Sequence, residues 1–204
     1  MYIPAHFNME DTSEIRIFLK AHPFRMLLSN GSQVPDVNHV PLQLMTDDGG
    51  NDSISIHLSK ANPHAKALEN GVSTLAVFLG TNGYFSPRSY VEKYNMPTWN
   101  YTAVHAFGKL RELEKEDELI PLVYQLTIEH EAEAESAWSA DWSVEKIRKI
   151  LNVIVSFELK VERWEGKKKI CQNRSAEDQA SFKRNLEKSS DPAYQFLVQQ
   201  MKTI

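Results

Sequence analysis

The sequence predicts a mainly β protein of the α+β class: an antiparallel barrel or closed sheet flanked by helices, with a helical C-terminal extension. Three observations carry that expectation. About six apolar or alternating runs follow one another with few helices between them, which argues against a doubly wound parallel sheet. Polar turns such as DDGGND (47–52) join neighbouring runs, as hairpins require. Two helix-start signals, Ser175 with Asp178 and Asp191 before Pro192, fall together near the C-terminal end. The expected division is 1–174 for the sheet domain and 175–204 for the extension.

In chain order, Asp11 and Glu14 mark a helix start, and Ile15, Phe18 and Leu19 recur at helical spacing. That helix ends before His22-Pro23, because the residue ahead of proline disfavours helical angles. FRMLLSN (24–30) and HVPLQL (39–44) read as strands joined by a polar turn. SISIHLS (53–59) alternates, with Ile54, Ile56 and Leu58 on one face and Ser53, Ser55, His57 and Ser59 on the other. STLAVFLG (73–80) is apolar throughout and suits a strand covered on both sides. GTNGYFSPRSY (80–90) reads as a loop whose Tyr84, Phe85 and Tyr90 must fold onto something.

PTWNYTAVHAFG (97–108) opens the next strand, with Trp99 and Tyr101 on one face and Asn100 opposite. A helix over about 118–132 follows, burying Leu119, Leu122, Val123 and Leu126 and ending in acidic residues. A short helix around 143–151 leads into NVIVSFELKVERW, where Val153, Val155, Phe157, Leu159 and Val161 face one way. EGKKKICQN then reads as a turn and basic segment, with Lys167 and Lys168 solvated and Lys169, Cys171 and Asn173 sharing a strand face.

Composition excludes several classes. The chain has 204 residues, a formal charge of −4 and 42% hydrophobic residues, ordinary for a globular domain and without whole-surface attraction for nucleic acid. No apolar run approaches the roughly 20 residues that cross a bilayer. The N-terminus lacks a signal-peptide pattern, and one cysteine makes neither an internal disulfide nor a zinc framework, so a cytoplasmic setting without membrane partners is expected. GxSxG, P-loop and GxGxxG signatures are missing, and His130-Glu131 lacks the second histidine of a zinc protease. No catalytic or metal-binding residue is assigned.

Two segments offer binding chemistry. In HLSKANP (57–63), Ser59, Lys60 and Asn62 stand where a strand gives way to a helix start, which suits a phosphate dianion, although a capped helix with a solvated lysine is the commoner reading of such an end. In KKKICQN (167–173), Cys171 reads either as a small buried residue or as a thiol activated by nearby lysines.

Taken in order, MYIPAHF, HPFRMLLS, HVPLQL, HLSKANP, AVFLGTNGYFSP, PTWNYTAVHAFG, the acidic helix with Trp138, and EGKKKICQNRS resemble the PaiB-type family of FMN-binding negative transcriptional regulators, from Met1 to about Ser175. The resemblance implies a six-stranded antiparallel split β-barrel of the FMN-binding type, and a homodimer with flavin at the interface. It implies that His57, Ser59, Lys60 and Asn62 serve the phosphate and ribityl end. Trp99, Asn100, Tyr101, Gln172 and Asn173 then lie nearer the ring, and Tyr84, Ser86 and Lys169 join the cofactor-binding set.

This chain departs from the family pattern at several of these positions. Lys60 replaces an arginine, keeping the charge but losing the bidentate fork. Thr81 replaces proline, Ser89 tryptophan, Ser156 glycine and Cys171 serine. The expected function is a flavin-binding regulator or sensor. The alternatives are a flavin-dependent oxidoreductase on a small substrate, or a dimer with a degenerate flavin site. A DNA partner is implied only by the family, because Lys183, Arg184 and Lys188 are offset by Glu177, Asp178 and Glu187.

Overall fold

Asp11 fixes the first helix: its carboxylate accepts from Ser13 N–H at 2.8 Å, and α1 (Thr12–Lys20) then buries Ile15, Phe18 and Leu19. The computed structural model describes residues 1–201 except 69, 92–94, 133–137, 139 and 142, without the side chains of 192, 193 and 196. The acidic run past Glu131 and residues 202–204 lie outside that set.

The two-residue β1 (Asn8–Met9) precedes α1. The remaining strands are β2 (Phe24–Ser29), β3 (Asp36–Pro41), β4 (Gln43–Thr46), β5 (Asp52–Ser59), β6 (Ser73–Phe85), β7 (Thr98–Leu113) and β8 (Ile154–Lys169). Hydrogen-bonded neighbours run β3-β2-β6-β7-β8-β5-β4, with β1 beside β8. The pairs β1·β8, β2·β3, β2·β6, β4·β5 and β5·β8 are antiparallel, so the protein is mainly antiparallel β with helices added.

Contacts gather into two units: unit 1 comprises Met1–His22, Phe78–His105 and Glu165–Ile204, and unit 2 comprises Pro23–Val77 and Ala106–Trp164. In unit 1, α5 (Ala176–Glu187) starts at Ser175, whose Oγ accepts from Asp178 N–H at 3.2 Å. With α6 (Pro192–Met201) it encloses Phe85, Tyr90, Ile170 and Cys171. Phe182 is central there, its ring centroid 4.5 Å from that of Phe85 and 4.6 Å from that of Tyr90. Burying one such ring stabilises by about 1.5–3 kcal/mol.

In unit 2, Ile54 pairs with Leu159 and Ile56 with Phe157, all buried. The helix α3 (Glu116–Glu131) packs Leu119 and Leu122 with Leu113 and Leu151, while Val123 and Leu126 are only half-buried. Two short helices complete the unit, α2 (Pro63–Ala67) and α4 (Glu145–Arg148).

Five expectations are corrected. The expected six strands become seven on the bonded path, with β1 as an eighth. HVPLQL is two strands because Pro41 has no N–H to give and Leu42 N–H donates to Pro23 O at 2.8 Å. The 80–90 segment is strand as far as Phe85, because Gly83 and Phe85 turn inward in alternation, and a 3-10 turn over Pro87–Ser89 follows. STLAVFLG buries one face, Thr74, Ala76 and Phe78, while Leu79 on the other is 40% exposed.

The lysine run is the fifth correction. It continues β8 and is not a solvated turn: Lys167 is buried, and Lys168 pairs with Glu14 at 2.6 Å. The face shared by Lys169, Cys171 and Asn173 does not form, because Cys171 takes a φ of 68° and breaks the alternation. Among the described residues, no helix is long and apolar enough to cross a membrane.

Candidate functional site

The expected phosphate-end residues all fall in unit 2, where β5 runs into α2. Ser59 and Lys60 are exposed, and Lys60 N–H donates to Val153 O at 2.9 Å, which fixes the backbone and leaves the ammonium outward. Ser59 Oγ accepts from Ala61 N–H at 3.2 Å. Asn62 caps α2, its Oδ1 accepting from His64 N–H at 2.9 Å. Its amide also donates to Asn38 Oδ1 at 2.9 Å, so Asn62 shapes the turn. His57 is half-buried on β5 opposite Ser156, whose buried hydroxyl lacks a partner among the described residues. Burial pushes the His57 imidazole below its ordinary pKa.

The expected ring-end residues all fall in unit 1. Tyr84 on β6 and Trp99 on β7 are 44% and 56% exposed, in an edge-to-face pair with centroids 6.0 Å apart. Asn100 faces the other way: it is 1% exposed and donates to Cys171 Sγ at 2.9 Å, leaving its Oδ1 buried without a partner among the described residues. Gln172 turns the chain at the end of β8, its Oε1 accepting from Ile170 N–H at 2.8 Å and its amide donating to Lys168 O. Ser86 Oγ accepts from Arg88 N–H at 3.3 Å and from Arg88 Nε at 3.2 Å. Asn173 is exposed beyond the strand end.

Cations gather beside the aromatic side chains of unit 1. Lys169 Nζ donates to Thr98 Oγ1 and lies 5.8 Å from the Phe7 ring centroid. Burial and then the nearby Lys167 charge push the Lys169 ammonium below its ordinary pKa. Lys167 was missed by the sequence reading. It is 8% exposed, donates to Tyr2 O at 3.1 Å and lies 5.2 Å from the Tyr101 ring, with no carboxylate partner among the described residues. Carrying the β8 alternation past Val161 to Lys167 and Lys169 was the signal that could have found it.

Each unit offers its own groups: a cation and a hydroxyl at Lys60 and Ser59 in unit 2, and exposed aromatic planes with nearby cations in unit 1. Residues 1–163 match the family described as "Putative FMN-binding domain", so the class is that of flavin-binding proteins and FMN is the cofactor. More narrowly, the chain belongs to the PaiB-type FMN-binding family. It is 30% identical to the protease synthase and sporulation protein PAI 2 of Bacillus subtilis, over 94% of this chain and 92% of that one. The fold is similar to that of a FAD and heme binding protein from Mycobacterium smegmatis, with a TM-score of 0.65 and 16% identity over 85% of this chain and 78% of that one. It is also similar to the flavocytochrome Anf3 of Azotobacter vinelandii, with a TM-score of 0.64 and 15% identity over 82% and 72%.

Proposed function

We propose that this flavin-binding chain is a homodimeric regulatory protein whose output follows flavin occupancy or redox state. The carrying observation is a division of labour among its side chains. Asn62, Ser86 and Gln172 are engaged in holding backbone, and the Cys171 thiol is pushed up to about 11 by burial. The Lys60 ammonium and the Tyr84 and Trp99 rings remain presented. Such a set binds and orients a ligand without a poised acid or base.

In this reading Lys60, Ser59 and His57 receive the phosphate and ribityl end, with Asn62 shaping the turn. Tyr84, Trp99 and Tyr101 border the ring, supported by Lys169, Asn100, Gln172 and Asn173. When bound, flavin supplies one- and two-electron redox chemistry. Homodimerisation, with flavin at the interface of a split barrel, is supported by the family resemblance and by the exposure of Leu79, Tyr84 and Trp99, apolar surface that a second copy would cover.

A flavin-dependent oxidoreductase is the second reading. Lys167 and Lys169, cations beside Tyr101 without carboxylate partners among the described residues, favour it because positive charge near a flavin stabilises its reduced, anionic form.

An absorption spectrum before and after adding FMN, followed by NADH, tests the proposal. The expected result is a bound yellow chromophore in a dimer, with NADH consumed no faster than by free FMN. Rapid bleaching with turnover would transfer the assignment to the oxidoreductase. No chromophore with excess FMN would end both readings. Sequence-selective, salt-sensitive retention of DNA would establish a direct operator contact.

A further inference from the structure

Unit 2 contains a closed chain of side chains behind the turn assigned to the flavin phosphate. His64 N–H donates to Asn62 at 2.9 Å, and because a backbone N–H can only donate, the contacting atom of Asn62 is Oδ1. The remaining amide nitrogen of Asn62 therefore donates to Asn38 at 2.9 Å, and the atom it meets is Oδ1. That leaves the Asn38 Nδ2 donor against His64 Nδ1, which must accept. His64 Nε2 then carries the proton and donates to Ser29 Oγ at 2.8 Å. One backbone N–H thus sets the orientation of two amides and the tautomer of one imidazole. His64 is 4% exposed and Ser29 6%, so water does not relieve a mismatch cheaply.

We propose that Asn38 and His64 are positioning residues for the Ser59–Asn62 turn, holding the Asn62 cap in place only while the imidazole is neutral. This rests on the flavin-phosphate reading above. A proton at Nδ1 sets an N–H against the Asn38 NH2 group. If Asn38 rotates in response, it presents NH2 to the NH2 of Asn62. If Asn62 rotates next, its oxygen leaves His64 N–H, and α2 loses the cap that shapes the turn bearing Lys60.

Asp36 on β3 favours the protonated imidazole, while burial opposes it more strongly. From β2 the ring meets the Ser29 hydroxyl, and Arg25 on the same strand donates to Phe24 O. Lys66 on α2 is exposed.

Asn38→Asp separates this latch from other causes. A carboxylate at that position accepts from both Asn62 and a protonated Nδ1, so the cap survives in acid. FMN affinity is measured by fluorescence titration between pH 7.5 and 5.0 for the wild-type chain and the variant. The ratio of the two dissociation constants cancels the ionisation of the FMN phosphate itself. That ratio is expected to rise about tenfold towards pH 5.0, the scale of losing one helix cap; a constant ratio overturns the proposal.

Nitrogen-15 NMR of the ligand-free chain gives a second readout. At pH 7.5 His64 should show a protonated Nε2 and a bare Nδ1, and an Nδ1–H tautomer or an imidazolium overturns the latch. Absence of FMN binding at every pH would sink the flavin reading alone, leaving the NMR arm to judge the latch.

Discussion

Asn100 Nδ2 donates to Cys171 Sγ across 2.9 Å, joining the strand that opens on PTWNY to the residue that ends the lysine run, with both side chains about 98% buried or more. Cys171 sits at a φ of 68°, a region that non-glycine residues seldom occupy. Its position is over-determined by Phe85, Tyr90, Phe182 and Leu197 in the same cluster. The bond from Asn100 lowers the thiol pKa, but burial dominates and pushes it up to about 11.

Cys171 is therefore expected to be a slow nucleophile. At pH 8 the native thiol should react with a disulfide reagent at least about 100-fold more slowly than in the urea-unfolded chain, since thiolate fraction and access both fall. Stopped-flow absorbance measures this, and comparable rates in the two states would restore the activated-thiol reading.

Lys60→Ala should weaken FMN binding by about 1–3 kcal/mol, the scale of a charge-assisted phosphate contact. The ammonium is exposed, so its removal leaves the fold intact and thermal unfolding of the ligand-free variant should match the parent. Fluorescence titration at equal ionic strength checks it, and unchanged affinity would remove Lys60 from the phosphate site. Restoration by Lys60→Arg would show that charge is the operative property.

Much of this was legible in the chain. Asp11, Ser175 and Asp191 announced their helices because capping is local chemistry, and Ile54, Ile56 and Leu58 announced a core face because alternation is periodic. What failed was where a local signal competes with a longer ladder. Three consecutive lysines resemble solvent, but β8 already pointed the Lys167 side chain inward. HVPLQL resembled one strand because the diversion of Leu42 N–H to Pro23 is a tertiary event. The His64–Asn38–Asn62 chain was invisible, since three of its four contacts join residues 24 to 35 positions apart on different elements, and no spacing rule links them.

Acid should destabilise the fold in two separate windows. Burial holds the His57 and His64 imidazoles below their ordinary 6.5, so as pH falls the unfolded chain takes up protons first. Their contribution is fully present above about pH 6.5 and is lost below it. Asp11 and Asp47, lowered from 3.8 by hydrogen bonds, act only in stronger acid. Urea midpoints should thus decline between pH 6.5 and 5, ahead of any carboxylate effect, and a midpoint rising across that interval would contradict the histidine assignments.

Two glycines of unit 2 separate steric from conformational demand. A Cβ on Gly108 would lie 1.9 Å from the Lys160 carbonyl oxygen, and Lys160 is held in register opposite Ser53, so the neighbour cannot retreat without disturbing the ladder. Gly108→Ala should therefore cost roughly 3 kcal/mol or more, as overpacking against backbone does. Gly71 has open space around it but a φ of 83°, so Gly71→Ala should cost only about 1 kcal/mol, and Gly71→Asn less, because asparagine tolerates the left-handed region. Urea denaturation of the three variants checks the order. Equal losses for Gly108→Ala and Gly71→Ala would mean that β7 can draw away from β8 at Gly108, and that the close approach there is not required by the fold.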